Sequence, residues 1–414
     1  MIQSGILTEQ GHSIAFVDAI ALGLSGDACI HRIQAFAPDA IVGLAADVSW
    51  LEDIRFYRSL SQLKPAPRLF LSGDVPRFEA KRSFEALPGL EAIITDFTTD
   101  GVARLLSGED QAEGLILRDG TQLPSTVRQW TSPPARHDLI TRHAYRLPFH
   151  GGEAFASVLS SYGCPFSCTF CNTGELSFKT RAACEVVEEL QLVRDLGFRR
   201  VYMRDATANG HRAHWLDVCQ QIAAADLDLR WNVFCTFRPF DAELANAMAA
   251  AGCDVVQFGI ETASESLRAE TGKAFDNEAA YAAVRYAHEA GIKVCGHFVL
   301  GLPTQSEEDV RATGEFARAL DLDYASFNLA SARPGTGLRD TADAAGLSGG
   351  DASIDGFIEG LSEVPSQRLH FLRREAILRF YLRPRPLRAM FPNLMQRSGW
   401  AHLASTVRAV SQSF

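Results

Sequence analysis

Over residues 1–120, short apolar runs alternate with stretches in which apolar residues recur every three or four positions. HSIAFVDA (12–19), AIVGLAA (40–46), PRLFLSG (67–73) and LEAIITD (90–96) have the length and apolar density of strands, and HRIQAF, DIRFYRSLSQL and FEAKRSFEAL between them have helical spacing. Continuous apolar strands alternating with helices predict an α/β unit with a parallel sheet covered on both faces. Residues 121–150 are rich in Pro, Thr, Ser and His and read as a linker wrapped over a surface.

From about residue 151 to 345 the alternation restarts. Six strands are expected at 155–161, 199–205, 230–237, 254–261, 293–301 and 323–330, with amphipathic helices between them. Gly197, Gly252 and Gly291 each stand where a helix should stop before a strand. Six βα units fit an incomplete barrel or an open doubly wound sheet, and periodicity does not choose between them. Residues 346–414 begin with GLSGGDASIDG and continue as an Arg-rich, largely helical region.

The 414 residues suffice for two or three domains of ~150 residues. No apolar run approaches a membrane span, and the first residues carry no basic-then-apolar export signal. A net charge of −10 argues against a partner bound through bulk positive charge, nucleic acid above all. Nine cysteines, an odd number and mostly scattered, do not describe a secreted disulfide framework. The expectation is a cytoplasmic enzyme.

The sharpest chemical signal is SSYGCPFSCTFCNTG. Cys164, Cys168 and Cys171 are spaced Cys-x-x-x-Cys-x-x-Cys in the loop after the first strand of the second block. Three thiolates in eight residues, bent by Gly163 and Pro165, can converge on one soft metal centre. A structural zinc site needs a fourth ligand, and the next cysteine, Cys184, falls inside an amphipathic helix where it reads as a small core residue. Three protein ligands on a cubane leave one iron open, which marks a chemical site. Zinc and iron–sulfur readings both remain open on spacing.

This segment resembles the radical S-adenosylmethionine (SAM) superfamily, over roughly residues 150–345. The resemblance implies a six-stranded partial (β/α) barrel and a 4Fe-4S cluster on Cys164, Cys168 and Cys171, whose open iron chelates SAM. It implies reductive cleavage of SAM to a 5′-deoxyadenosyl radical that abstracts hydrogen from an unactivated carbon. It also implies an electron donor such as flavodoxin or ferredoxin, and a small-molecule substrate. Candidate SAM contacts are Phe170 before the third cysteine, Asp205 ending the second strand, Glu261 ending the fourth, Gly301 of the Gly296–Gly301 pattern, and Asn328 ending the sixth. Arg238 and Lys273 could anchor carboxylates or serve in ordinary ion pairs. No residue is assigned to the catalytic step itself.

The run from Gly11 to Ala46 resembles the cobalamin-binding, Rossmann-like domain that precedes the barrel in one radical SAM branch. LRREAILRFYLRPRPL resembles the same branch, which includes methyltransferases and oxidative cyclases. Only eleven residues precede His12, so the domain is expected to be abbreviated, and Asp-x-His-x-x-Gly occurs nowhere. With cobalamin bound, the implied reaction is radical methyl transfer. Without it, the alternatives are radical cyclisation or rearrangement, or a non-catalytic cluster-bearing partner subunit. A protein partner could complete the shortened first domain. The seven arginines from Arg368 to Arg388 could form a docking face or a solvated helix side.

Overall fold

In a computed structural model, the described residues are 1–141, 145–146, 153–273, 275–347 and 360–394. They form two compact units. One comprises Met1–Thr141, Tyr162–Glu185 and Ser331–Ile358; the other comprises Arg142–Ser161, Val186–Ala330 and Glu359–Phe414.

In the first unit, Ala40–Leu44 (β1), Arg68–Ser72 (β2) and Leu90–Ile94 (β3) pair in parallel in that order. A short antiparallel ladder, Leu115–Leu117 (β4) and Gln122–Leu123 (β5), extends the sheet beyond β3. The central strand β2 is apolar throughout because both its faces are covered. Leu69 and Leu71 pack with Trp50, Ile54, Tyr57 and Phe84 on one side, while Phe70 packs with Leu7, Ile94, Val102 and Leu105 on the other. Alternate residues of a strand point to opposite faces, so a strand buried on both sides loses its polar alternation.

The segment HSIAFVDA corrects the sequence reading. Residues 12–18 form no strand, and Asp18 instead caps the short helix Ala19–Leu22 by accepting from the Ala21 N–H at 2.9 Å. Ile14 packs against the core, while Phe16 and Val17 stay largely exposed. Apolar, β-branched sequence becomes a strand only where a neighbouring strand takes up its hydrogen bonds. Coverage is also incomplete at β1, which pairs with β2 alone and exposes Val42 and Leu44.

The second unit is the expected βα alternation. Six parallel strands form one sheet in chain order: Phe155–Val158, Arg200–Met203, Arg230–Cys235, Cys253–Glu261, Lys293–Leu300 and Tyr324–Leu329. The outer faces carry large apolar side chains. Trp231 meets Trp215 of helix Arg212–Ala225 edge-on, and Phe327, stacked on Phe298, meets Phe380 of helix Ser366–Tyr381.

The C-terminal region is helical over Ser366–Tyr381 and Pro384–Leu394; residues 348–359 and 395–414 lie outside the described residues. Four of its arginines engage groups of the barrel. Arg368 pairs with Glu307, Arg379 with Glu315, and Arg385 with Asp321; Arg373 donates to the Phe327 carbonyl at 2.8 Å. The stripe grips the barrel. At the N-terminal ends of the strands, Val255, Cys295 and Tyr324 pack against Ala389, and the Tyr324 hydroxyl donates to the Ala389 carbonyl at 3.1 Å. The last helix therefore closes that end of the barrel.

Candidate active site

The cysteine loop is built into the first unit. Gly163 has φ +76°, and a Cβ there would stand 2.7 Å from the Leu176 carbonyl oxygen, so the turn opening the loop requires glycine. The Cys171 N–H donates to the Cys168 carbonyl at 3.0 Å, closing a tight turn between the last two cysteines. A Cβ on Gly174 would lie 2.4 Å from the Phe166 carbonyl oxygen, so the loop folds back closely on itself.

Three further contacts fix this loop. The Tyr162 hydroxyl donates to the Thr95 carbonyl at 2.9 Å, just beyond β3. The Leu338 N–H donates to the Thr169 carbonyl at 2.9 Å. Lys179, fully buried, pairs with Asp96, whose carboxylate also takes the Thr98 N–H at 2.9 Å. The loop is thus anchored at its entry, its middle and its exit.

All three thiols are free of disulfides and partly exposed, unlike Cys219, Cys235, Cys253 and Cys295, which are buried core residues as expected. Cys184 is exposed, which corrects its reading as a core residue. The structure does not gather the three thiols into a closed set: among the described residues no group of three His, Cys, Asp or Glu side chains stands ready to hold a metal ion. The donor chemistry fits an iron–sulfur cluster: three reachable soft ligands on one loop. Phe170, within this loop, is half-buried.

In the barrel, the expected residues occupy the C-terminal ends of the strands but differ in character. Asp205 is buried and fully engaged. It accepts from the Ser160 hydroxyl at 2.7 Å, the Ser161 hydroxyl at 2.6 Å and the Ser160 N–H. Burial raises its pKa, and the serine donors oppose that rise. It fastens the end of the first strand to the end of the second, where the chain leaves for the cysteine loop.

Glu261 has φ +66°, an uncommon conformation for a residue with a side chain, at an irregularity in the pairing with the next strand. Its carboxylate pairs with Lys273. Gly259 makes room for the pair: a Cβ there would stand 2.3 Å from the Lys273 Nζ and 2.5 Å from Glu261 Oε1. Arg238 forms an exposed ion pair with Asp276.

The Gly296–Gly301 pattern divides into two jobs. Gly296 faces outward, where a Cβ would meet Leu322 and Ile260 within 2.8 Å, so it serves packing. Gly301, at φ +84°, donates its N–H to Gln305 Oε1 at 2.6 Å. Asn328 is exposed and donates to the Ser326 hydroxyl at 3.1 Å.

Sequence reasoning missed a polar layer below these residues. His297 Nδ1 lies 2.7 Å from the Ser326 hydroxyl, and His297 Nε2 lies 3.1 Å from Gln257 Oε1. Phe234 packs on the imidazole with ring centres 4.8 Å apart. Burial, with the nearby Lys273 charge, lowers the His297 pKa to about 4, so the ring is neutral at pH 7. The available signal was a polar residue interrupting each of two otherwise apolar strands, VVQFGI and VCGHFVL.

Residues 158–317 match the model of the radical SAM superfamily. That stretch is a radical SAM domain. The chain is similar along most of its length to an uncharacterized methyltransferase of Pyrococcus horikoshii, at 27% identity over 404 residues, covering 92% of this chain and 87% of the relative. Its fold is similar to that of the methyltransferase TsrM from Kitasatospora setae, solved with cobalamin and a 4Fe-4S cluster, with a TM-score of 0.67 and 20% identity, covering 84% of this chain and 72% of TsrM. It is also similar to the cobalamin-dependent radical enzyme OxsB, with a TM-score of 0.71 and 15% identity, covering 100% of this chain and 73% of OxsB. Six parallel strands with a helical extension are therefore the partial barrel of a radical SAM enzyme, and the open doubly wound alternative falls away. A 4Fe-4S cluster and SAM are the cofactors of such a domain. No helix among the described residues is long and apolar enough to cross a membrane.

Proposed function

We propose that Cys164, Cys168 and Cys171 hold the 4Fe-4S cluster and that the barrel binds SAM and a small-molecule substrate. The observation carrying this reading is the set of three partly exposed cysteines, none in a disulfide, on one anchored loop directly after the first barrel strand. When bound, a cluster with one open iron supplies the electron that cleaves the sulfonium bond of SAM and yields a 5′-deoxyadenosyl radical.

The chain's own residues do the positioning. Glu261, held by Lys273, offers a fixed carboxylate oxygen at the C-terminal end of the barrel for SAM's hydroxyl or ammonium groups. Gly301 brings backbone close at the neighbouring strand end, Asn328 adds an exposed amide at the next, and Phe170 supplies an aromatic face from the cysteine loop. Asp205 supports the entry to that loop through Ser160 and Ser161.

The reaction we favour is methyl transfer to an unactivated carbon with cobalamin as the methyl carrier. Similarity to a named methyltransferase across 92% of the chain supports it. The C-terminal ends of β1–β3 are the surface offered to cobalamin, and the chain has no histidine between His31 and His137. The Ala45, Ala46 and Asp47 N–H groups at these ends are already given to the Ser72 carbonyl, Asp53 and Asp74, so cobalamin would rest on this surface without those donors and without a histidine ligand from this stretch. An external electron donor of the flavodoxin or ferredoxin type would serve the cluster.

The test is anaerobic reconstitution with iron and sulfide, with and without cobalamin. SAM with dithionite should yield 5′-deoxyadenosine; S-adenosylhomocysteine should appear only when cobalamin is present, and beyond one equivalent per cobalamin only when a methyl acceptor is present as well. 5′-Deoxyadenosine without S-adenosylhomocysteine under all conditions would leave radical chemistry and remove methyl transfer.

A further inference from the structure

The polar layer inside the barrel lies between the closed N-terminal end and the strand ends assigned to SAM. Trp231, Phe258, Phe298 and Phe327 point outward, so the alternate residues Phe234, Gln257, His297 and Ser326 point inward. Below them, Val255, Cys295 and Tyr324 are sealed by Ala389. Above them, Glu261 and Lys273 form their pair.

The contacts of this layer allow its hydrogen bonds to run in one direction, with Cys295 Sγ also 3.7 Å from His297 Nε2. Asn328 Nδ2 donates to the Ser326 oxygen at 3.1 Å, and the Ser326 hydroxyl faces His297 Nδ1 at 2.7 Å. A neutral imidazole that accepts at Nδ1 carries its proton on Nε2, and that proton meets Gln257 Oε1 at 3.1 Å. The chain then ends on the Gln257 Nε2 amino group. Gln257 is 2% exposed, and this group has no acceptor among the described residues. A buried donor without a partner has lost its water and gained nothing in return, so the layer is poised to receive an acceptor.

We infer that Gln257, oriented by His297 and Ser326, binds a carbonyl or carboxylate oxygen of the substrate on the barrel floor, with Phe234 against its apolar part. This deepens the function proposed above and rests on it. Gln257 is a specificity-determining residue here; His297 and Ser326 are positioning residues that fix which way the amide points. The substrate class is a small molecule with an sp2 oxygen at one end and an apolar or aromatic body. A substrate presenting only N–H or ammonium groups to the floor is rejected.

The test uses the reconstituted full chain with two probes, benzoate as an acceptor and benzylammonium as a donor. Binding is read by equilibrium dialysis and by the imidazole 15N signals of His297. Wild type should bind benzoate in preference and shift the His297 signals. Gln257→Leu should weaken benzoate by about tenfold. Gln257→Glu, nearly isosteric, should reverse the preference toward benzylammonium, a gain that misfolding does not produce. Equal binding of the two probes to wild type, or benzoate affinity unchanged in both variants, overturns the inference while SAM cleavage by wild type leaves the proposed function standing. A reconstituted wild type that cleaves no SAM overturns that reading and this one together.

Discussion

Lys179 and Asp96 form a buried ion pair that ties the chain just beyond the cysteine loop to the end of β3. Thr98 completes the arrangement by donating its hydroxyl to the same carboxylate at 2.6 Å. Removing one partner of such a pair leaves a charge buried without compensation, at a cost of about 3–5 kcal/mol. Lys179→Met should therefore lower unfolding stability by about that amount in urea titrations. The double variant Lys179→Met/Asp96→Leu should recover part of the loss. A single variant as stable as wild type would show that the pair does not anchor the loop.

Asp205 makes a different kind of support, through serine hydroxyls. Asp205→Ala strands the Ser160 and Ser161 donors in a buried position, and the expected loss is about 2–4 kcal/mol, read by thermal or urea unfolding. Asp205→Asn keeps one acceptor oxygen and should cost less. Equal costs for the two would place the effect in packing.

Burial depresses the His297 pKa to about 4, against an ordinary value of 6.5. The unfolded chain therefore takes up a proton between about pH 6.5 and 4 that the folded chain refuses. Stability contributed by keeping this ring neutral is present above pH 6.5 and is lost as the pH falls toward 4. His297→Gln should flatten the stability–pH curve in that window, measured as the urea midpoint from pH 4 to 7. A slope unchanged by the substitution would contradict the assignment.

Gly259→Ala tests the Glu261–Lys273 pair without touching either charge. The added methyl would overlap the pair, so the pair must move. The SAM dissociation constant should rise by about tenfold, measured by equilibrium dialysis on the reconstituted protein. Unchanged SAM affinity would remove Glu261 from the SAM shell.

Much of this architecture was legible because each barrel strand is a compact apolar run between amphipathic helices. Where local pattern and tertiary context disagree, the sequence reading fails. HSIAFVDA has the composition of a strand, but its chain finds no partner strand and ends in a capped turn at Asp18. Cys184 sits at a helical position that periodicity makes apolar, yet the helix turns it to solvent. Gln257 and His297 each break a single position of an apolar strand, too small a departure to read until the strands are laid side by side. The three cysteines were legible because their spacing is chemistry rather than packing. Gln305, which accepts from the Gly301 and Leu302 N–H groups while fully buried, carried no comparable signal.

The most direct test of the whole account is metal and sulfide analysis of the chain reconstituted and purified without oxygen, beside Cys168→Ala. Wild type should contain about four irons and four inorganic sulfides per chain, with little zinc, and Cys168→Ala should lose most of both. A wild type holding one zinc and neither iron nor sulfide would contradict the account at its root.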